Sequence, residues 1–413
     1  MQFFSRKYIF SYLYKLLCKK QIAASYSLSW EQRKLGECFS ERVESMPDGE
    51  LISVTINDGI KKFSELGRHD NSNDNKSKYK KVCVGDIAYN SMRMWQGASG
   101  YSPYEGIVSP AYTVLSPNAG VFSRCIAYQF KLPQMIHTFQ INSQGITSDN
   151  WNLKYPTLSE IEIYISKNVA EQKQIAEFFT SLDNLITLHQ RKYDKLTNVK
   201  KSMLEKMFPK NGSNVPEIRF KGFTEAWEQR KLGDVVKEIT RNDPESEAPI
   251  MMITANNGFI EQSERYAFNN AGESLKKYIL LKKGELAYNH GASKLRPYGS
   301  CFALTTAENA RIPFVYHCFS AENQNAEFMS IELNGAEIEN QLRKIVSSGA
   351  RMDGLLNISF DEYTSVSVLL PGTEEQDCIA DFFRQLDNLI TLHQRELEKL
   401  KNIKKSCLEN MFV

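Results

Sequence analysis

Two short stretches carry the side chains best suited to chemistry in this chain. After Tyr89-Asn90 come Ser-Met-Arg-Met-Trp-Gln-Gly (91–97), and after Tyr288-Asn289 come His-Gly-Ala-Ser-Lys-Leu-Arg-Pro-Tyr (290–298). Upstream of the first, residues 60–81 hold seven basic side chains (Lys61, Lys62, Arg68, Lys76, Lys78, Lys80, Lys81) against three acidic ones (Glu65, Asp70, Asp74). Cations meet phosphates, and Arg, Lys, Asn and Gln meet base edges in pairs of hydrogen bonds, so such loops suit nucleic-acid contact. The plain alternative is a set of solvated polar loops, which composition alone favours. Placement shifts the balance, because each stretch directly follows the same short strand in two copies of one pattern. The residues expected to contact a nucleic acid are Lys78, Lys80, Tyr89, Asn90, Arg93, Trp95 and Gln96 in the first copy. In the second they are Tyr288, Asn289, His290, Lys294, Arg296 and Arg351. Tyr89/Asn90 and Tyr288/Asn289 are shared by both copies and suit a framework better than a reader. Arg93, Lys294 and Arg296 lie in the diverged part and suit reading better.

Catalytic signatures are missing from the sequence. It has no G-x-x-x-x-G-K-[ST] phosphate loop, no Asn-Pro-Pro-Tyr or Asp-Pro-Pro-Tyr, no G-x-G-x-x-G after a strand, no H-E-x-x-H and no G-x-S-x-G. The eight cysteines are scattered without a C-x-x-C pair, which excludes zinc ribbons by spacing and argues against a disulfide scaffold. A reducing cytoplasm fits that usage. Acidic side chains that could hold Mg²⁺ for a nuclease form no set common to both copies.

The elements that must position these loops are themselves repeated. Trp30-Glu-Gln-Arg-Lys-Leu-Gly-Glu37 returns as Trp227-Glu-Gln-Arg-Lys-Leu-Gly-Asp234, and Asp86-Ile-Ala-Tyr-Asn90 as Glu285-Leu-Ala-Tyr-Asn289. Residues 171–208 return at 375–412 with 26 of 38 positions identical, while 91–140 and 290–345 share little. A retained frame with two diverged payloads predicts two similar domains rather than a solenoid. The repeated 171–208 segment places apolar residues at steps of three and four without Gly or Pro, as a helix requires. Asn168 with Glu171, and Thr373 with Gln376, have capping-box spacing. A helix of 38 residues is about 57 Å long and cannot lie alone with one apolar stripe exposed. The expectation is an antiparallel coiled coil between the copies, with Phe178, Leu182, Leu185, Leu196, Phe382, Leu386, Leu389 and Leu400 in its seam. The alternative is that each rod folds back on its own domain. His189 and His393 fall at equivalent seam positions and suit packing rather than ligation.

Short β-prone runs separated by Gly, Asn, Ser and Pro fill 30–165 and 227–370, with Ala336–Ser347 the best internal helix, so mixed α/β (α+β) domains with a curved sheet or partial barrel are expected. At 413 residues, 42% hydrophobic and 24% charged, the chain is long enough for two or three folded domains. Fifty-one Lys+Arg against 49 Asp+Glu leaves +2, so any polyanion site must come from local clustering. No run of 18 apolar residues exists, so no membrane span is expected. Met1–Ala24 is aromatic and basic, and Arg6, Lys7 and Lys15 interrupt the apolar core a signal peptide needs. A poorly ordered leader is expected there rather than a surface-seeking helix.

The duplicated W-E-Q-R-K-L-G block, the G-D-I-A-Y-N and G-E-L-A-Y-N elements at 85–90 and 284–289, and the E-Q-x-x-I-A-x-F-F…L-D-N-L-I-T-L-H-Q-R helices together resemble the specificity subunit of type I restriction–modification systems. Pro216-Glu-Ile-Arg-Phe220 before Trp227 fits that family, whereas the stretch before Trp30 has no counterpart. The resemblance covers about residues 29–413. It implies an atypical leader (1–28), target-recognition domains at 29–165 and 227–370, spacer helices at 166–210 and 371–413, and a linker at 211–226. Two long antiparallel helices would join the domains in a pseudo-two-fold arrangement. Each domain would read one half of a bipartite, asymmetric double-stranded DNA target, and the helices would fix the spacer and dock two methyltransferase (M) subunits. Restriction–translocase (R) subunits would complete the assembly. S-adenosylmethionine, ATP and Mg would be bound only by partner subunits, this chain itself being non-catalytic and without cofactor or metal. Two other readings stay open: a scaffold or adaptor without DNA readout, and a self-sufficient nuclease.

Overall fold

A computed structural model describes residues 30–412 except 57–58, 68, 71, 73–74, 146–150, 211, 256, 266–271 and 347–354. The leader before Trp30 and Arg351 lie outside the described residues. The chain divides into two compact units, 1–189 with 395–413, and 190–394.

The first unit opens with β1 (Trp30–Lys34), which pairs antiparallel along its whole length with β10 (Glu162–Ser166). Between them a four-stranded antiparallel sheet has the order β2 (Phe39–Glu41), β9 (Tyr112–Pro117), β6 (Ile87–Asn90), β7 (Ser99–Tyr101). Two ribbons flank it: β3 (Ile52–Thr55) with β4 (Gly59–Lys62), and β5 (Lys80–Val82) with β8 (Gly106–Val108). Among the described residues four short helices accompany these strands: α1 (Leu35–Cys38), α2 (Ser123–Gln129), α3 (Pro133–Ile141) and α4 (Tyr155–Ser159). Central strand β6 is buried on both faces. Ile87 and Tyr89 belong to one apolar cluster with Phe39, Leu115, Phe130 and Phe139, while Ala88 belongs to another with Ile52, Val82 and Val114. A strand without a wet face has no polar alternation. That is why Ile-Ala-Tyr reads as an unbroken apolar run.

The second unit repeats this plan strand for strand. Outer strands β11 (Glu228–Lys231) and β20 (Ser367–Leu370) pair antiparallel. The four-stranded sheet has the order β12 (Val236–Glu238), β19 (His317–Ala321), β16 (Leu286–Asn289), β17 (Ser300–Ala303). The ribbons are β13 (Met251–Thr254) with β14 (Gly258–Glu261), and β15 (Ile279–Lys282) with β18 (Asn309–Ile312). Its central strand repeats the packing too: Leu286 and Tyr288 enter one cluster and Ala287 the other.

The long helices are α5 (Val169–Lys206) and α9 (Thr373–Met411), with α6 (Ala326–Leu333), α7 (Ala336–Ile345) and α8 (Phe360–Thr364) in between. Asn168 caps α5 by accepting from the Ala170 N–H at 2.9 Å, but Glu171 turns to Ser166 Oγ at 2.6 Å and closes no box. Gln376 likewise turns inward, to Pro371 O and the Asn325 N–H. The division between the units falls inside both helices.

In the first unit the N-terminal half of α5 runs antiparallel to the C-terminal half of α9. Phe179 stacks on Phe412 at 6.1 Å, and Lys404 meets Asp183 at 2.5 Å. In the second unit the halves exchange roles: Phe383 lies 6.2 Å from Phe208, and Lys200 meets Asp387 at 2.5 Å. Both expectations for the rods therefore hold in part, because each N-terminal half packs on its own domain and also receives the other helix. Phe178, Leu182, Leu386 and Leu400 are buried, and Leu185, Leu196 and Phe382 are half-buried. Leu389 departs from the expected seam: it is 45% exposed.

Candidate nucleic-acid interface

In each unit three loops converge at one end of the four-stranded sheet. The first unit brings together 91–98, 109–111 and the segment around Leu153. Ser91 accepts from the Leu153 N–H at 2.9 Å, its N–H donates to Ala111 O at 3.4 Å, and its hydroxyl lies 2.9 Å from that of Thr113. The second unit brings together 290–299, 313–316 and 355–358. The Leu356 N–H donates to His290 O at 2.9 Å, which is the same bond as Leu153 to Ser91.

The shared asparagine starts each loop. Asn90 Oδ1 accepts from the Met92 N–H at 3.0 Å and Asn289 Oδ1 from the Gly291 N–H at 2.9 Å, so both turn the chain out of the strand by a side-chain–backbone bond. A second repeated device pins the far end of that strand. Arg42 makes two bonds to Asp86 at 2.8 and 3.2 Å, and Asp86 also accepts from the Cys83 N–H. In the second unit Arg241 meets Glu285 at 2.6 Å and Glu285 accepts from the Lys282 N–H. An arginine–carboxylate pair of this kind fixes geometry as well as charge.

Of the expected contact residues, Tyr89, Tyr288 and His290 are buried, while Arg296 and Trp95 are half-buried and bonded within the fold. Tyr89 and Tyr288 are closed to solvent. The Tyr288 ring stacks on Tyr363 at 3.9 Å, and its hydroxyl donates to Tyr298 O at 2.6 Å. Burial pushes both phenols up from their usual range. His290 is 6% exposed, with Nδ1 2.8 Å from Leu356 O and Nε2 2.7 Å from Val315 O. Its ring thus ties all three loops of the second unit together and has no polar atom left for a ligand. Arg296 is half-buried and donates to Asn334 O at 2.8 Å; burial lowers its pKa. Trp95 is half-buried, edge-on to Trp151 at 5.3 Å, and donates to Met92 O.

Arg93 and Gln96 stand exposed on the first loop, and Ser293, Lys294 and Leu295 on the second. Lys78 and Lys80 belong to a different segment, Lys78 leading into β5 and Lys80 opening it. Lys78 is exposed, while Lys80 is half-buried against Glu41 at 3.2 Å. The basic run of the first copy is also less free than it reads, since Lys62 meets Glu50 at 2.8 Å and Lys81 meets Glu44 at 3.4 Å.

One side chain that positions the first loop gave no sequence signal. Lys131, between α2 and α3, sends Nζ to Gly97 O at 2.6 Å and to Ile56 O at 3.2 Å, clamping the end of the first loop. Burial, with Lys404 as the second cause, pulls its ammonium down to about 8. A lone lysine between two short helices shows no periodicity that could have marked it. Among the described residues no group of three or more His, Cys, Asp or Glu could hold a metal ion, and no helix is long and apolar enough to cross a membrane.

A second surface repeats along the helices. Arg191, Lys195, Asn198, Ser202 and Glu205 on α5 follow steps of four and three, so they share one face. All five recur unchanged on α9 as Arg395, Lys399, Asn402, Ser406 and Glu409, whereas flanking Lys192, Thr197 and Lys206 become Glu396, Lys401 and Asn410. Nine of these ten stripe residues are exposed and Ser202 is half-buried. On α9 a shallow groove runs along the stripe, lined by Arg395, Glu398, Lys399, Asn402, Ile403 and Ser406.

Comparison with known proteins accords with this geometry. Residues 27–198 match the family model described as the type I restriction modification DNA specificity domain. The type I restriction enzyme MjaVIII specificity subunit of Methanocaldococcus jannaschii is 24% identical over 371 residues, covering 80% of this chain and 81% of that protein. The solved S subunit of a type I restriction–modification system from M. genitalium shares the fold at a TM-score of 0.57 and 14% identity, covering 93% of this chain and 96% of that one.

Proposed function

We propose that the chain is a type I specificity subunit that reads a bipartite DNA target, a reading supported by the match of residues 27–198 to the type I restriction modification DNA specificity domain and by the 24% identical specificity subunit. Each unit is one reading head, and each recognises its own short half-site. The observation that carries this is the repeated three-loop scaffold: strand, asparagine turn and loop-to-loop bonds recur in both units, while exposed tip residues differ. A constant frame with variable tips is how one fold reads two sequences, because base-edge contacts specify and the frame only positions. Arg93 is the leading base reader of the first head and Lys294 of the second.

The chain acts without catalysis of its own. Two copies of one exposed stripe favour one partner bound twice, and two M subunits are the partners this role requires. R subunits then complete the restriction assembly, with S-adenosylmethionine, ATP and Mg held by the partners. The seven described cysteines are all free, which suits the cytoplasm.

The test is selection of duplexes from a random DNA library by the chain assembled with its M subunits. Two fixed half-sites at one constant spacing are expected, with affinity falling steeply as salt rises. Recovery of no motif, or of a single uninterrupted one, contradicts the reading.

A further inference from the structure

The second reading loop ends in an apolar tip that the fold does not use. Leu295 is 64% exposed, although the loop beneath it is held firmly. The Ser293 N–H donates to Arg296 O at 3.0 Å, the Arg296 N–H to Ser293 Oγ at 3.1 Å, and the Arg296 guanidinium to Asn334 O. The neighbouring loop of the same sheet end adds Phe314, 49% exposed, one residue before the Val315 carbonyl that His290 meets. The first unit exposes an apolar side chain at another place on its loop, Met92, where the second loop has Gly291. Met92 is 45% exposed, its N–H is bound by Asn90 and its carbonyl by the Trp95 indole. An exposed cation stands beside each apolar side chain: Lys294 next to Leu295, and Arg93 next to Met92.

An apolar side chain left in water on a clamped loop contributes nothing to folding. Singly exposed apolar residues are ordinary, but these two stand, at different places, on the clamped loops that directly follow the shared strand and asparagine, each beside an exposed cation. The neighbouring cations select a polyanionic ligand, and the one apolar feature that a DNA major groove displays is the thymine 5-methyl group. We infer that Leu295 and Met92 are specificity-determining residues, each packing against a thymine methyl in the half-site its own unit reads. This rests on the DNA reading proposed above and narrows it to one contact in each half.

Two random duplex libraries, one with thymine and one with uracil throughout, separate the outcomes, because uracil lacks only that methyl. The probe protein is the full chain assembled with its M subunits. The unaltered protein is expected to fix thymine at one position of each half-site in the first library. In the uracil library that preference relaxes about fourfold, the value of one buried methyl group. Leu295→Ala relaxes the same position of the second half-site in the thymine library and ceases to distinguish thymine from uracil there. Met92→Ala does so in the first half-site only. Identical profiles from both libraries overturn the inference, as does an affinity loss in Leu295→Ala without methyl dependence, which marks a wedge between base pairs. Recovery of no motif from either library removes the DNA-reading premise itself.

Discussion

The ring of Phe208 lies edge-on to the indole of Trp227, with centroids 5.8 Å apart and planes at 83°. Phe208 follows the helix of the first repeat, and Trp227 opens the second. The counterpart in the first unit is Phe412 against Trp30, at 6.3 Å and 86°. Each repeat therefore finishes the core that the other one opens. Truncating a well-packed phenylalanine to alanine typically costs about 3–5 kcal/mol. Phe412→Ala is expected to loosen the unit of residues 1–189 and 395–413, and Phe208→Ala the unit of 190–394. Hydrogen exchange resolved by peptide reads the difference, and equal loss of protection in both units for either variant contradicts it.

The pairs Asp183–Lys404 and Lys200–Asp387 are one interaction present twice, and all four side chains are partly exposed. Such pairs contribute about 0–1 kcal/mol each. Lys404→Ala alone should lower stability by no more than that, and the reversed pair Asp183→Lys with Lys404→Asp should restore most of it. A loss of several kcal/mol, measured by denaturant titration, would assign these pairs a larger role.

Arg93→Ala should cost ~1–3 kcal/mol at one base of the first half-site and leave the preference of the second unchanged; Lys294→Ala should do the reverse. Binding to duplexes carrying single substitutions measures both. A uniform loss over all sequences would reassign either residue to phosphate contact.

Glu332 on α6 is buried and accepts from the Leu369 N–H at 3.1 Å. Burial pushes its carboxyl up to about 7, with the Leu369 bond pulling the other way. An unfolded glutamate titrates at about 4.3, so between those values the folded chain binds the extra proton. Stability from this group is full below about 4.3 and is lost as pH rises through about 7, a difference on the order of 3 kcal/mol. Glu332→Gln should flatten that part of the pH dependence in the second unit. Melting followed from pH 5 to pH 8 would show this, and parallel curves for the two proteins would refute it.

Reversing one stripe, by Arg191→Glu with Lys195→Glu or by Arg395→Glu with Lys399→Glu, should leave the fold intact and remove one of two bound M subunits. Mass measurement of the assembled complex counts them. Loss of both from a single reversal, or of neither, would contradict the double-docking reading.

Much of this architecture was legible in the sequence because duplication wrote it twice. The Trp30 and Trp227 blocks run into β1 and β11, the Ile-Ala-Tyr-Asn and Leu-Ala-Tyr-Asn elements are the central strands, and the repeated 38-residue segment is α5 and α9. Side-chain roles within the frame were less legible. Tyr89, Tyr288 and His290 look like ligands in a list of residue types, yet their neighbours come from distant segments such as Tyr363 and Leu356. Helices α2 and α3 went unmarked because seven and nine residues are too few to establish a period. Leu295 stood in a loop already singled out for its cations, and only its exposure on a rigid tip sets it apart.

On the proposed reading, two unlike heads on one chain select one divided DNA sequence. Genome-wide mapping of modified adenines, in cells with and without this chain, is the decisive measurement. The predicted result is a set of modified sites present only with the chain, all sharing two fixed halves at one constant spacing, with Arg93→Ala and Lys294→Ala relaxing opposite halves. The same map with and without the chain, or a motif with a single undivided half, would contradict the claim.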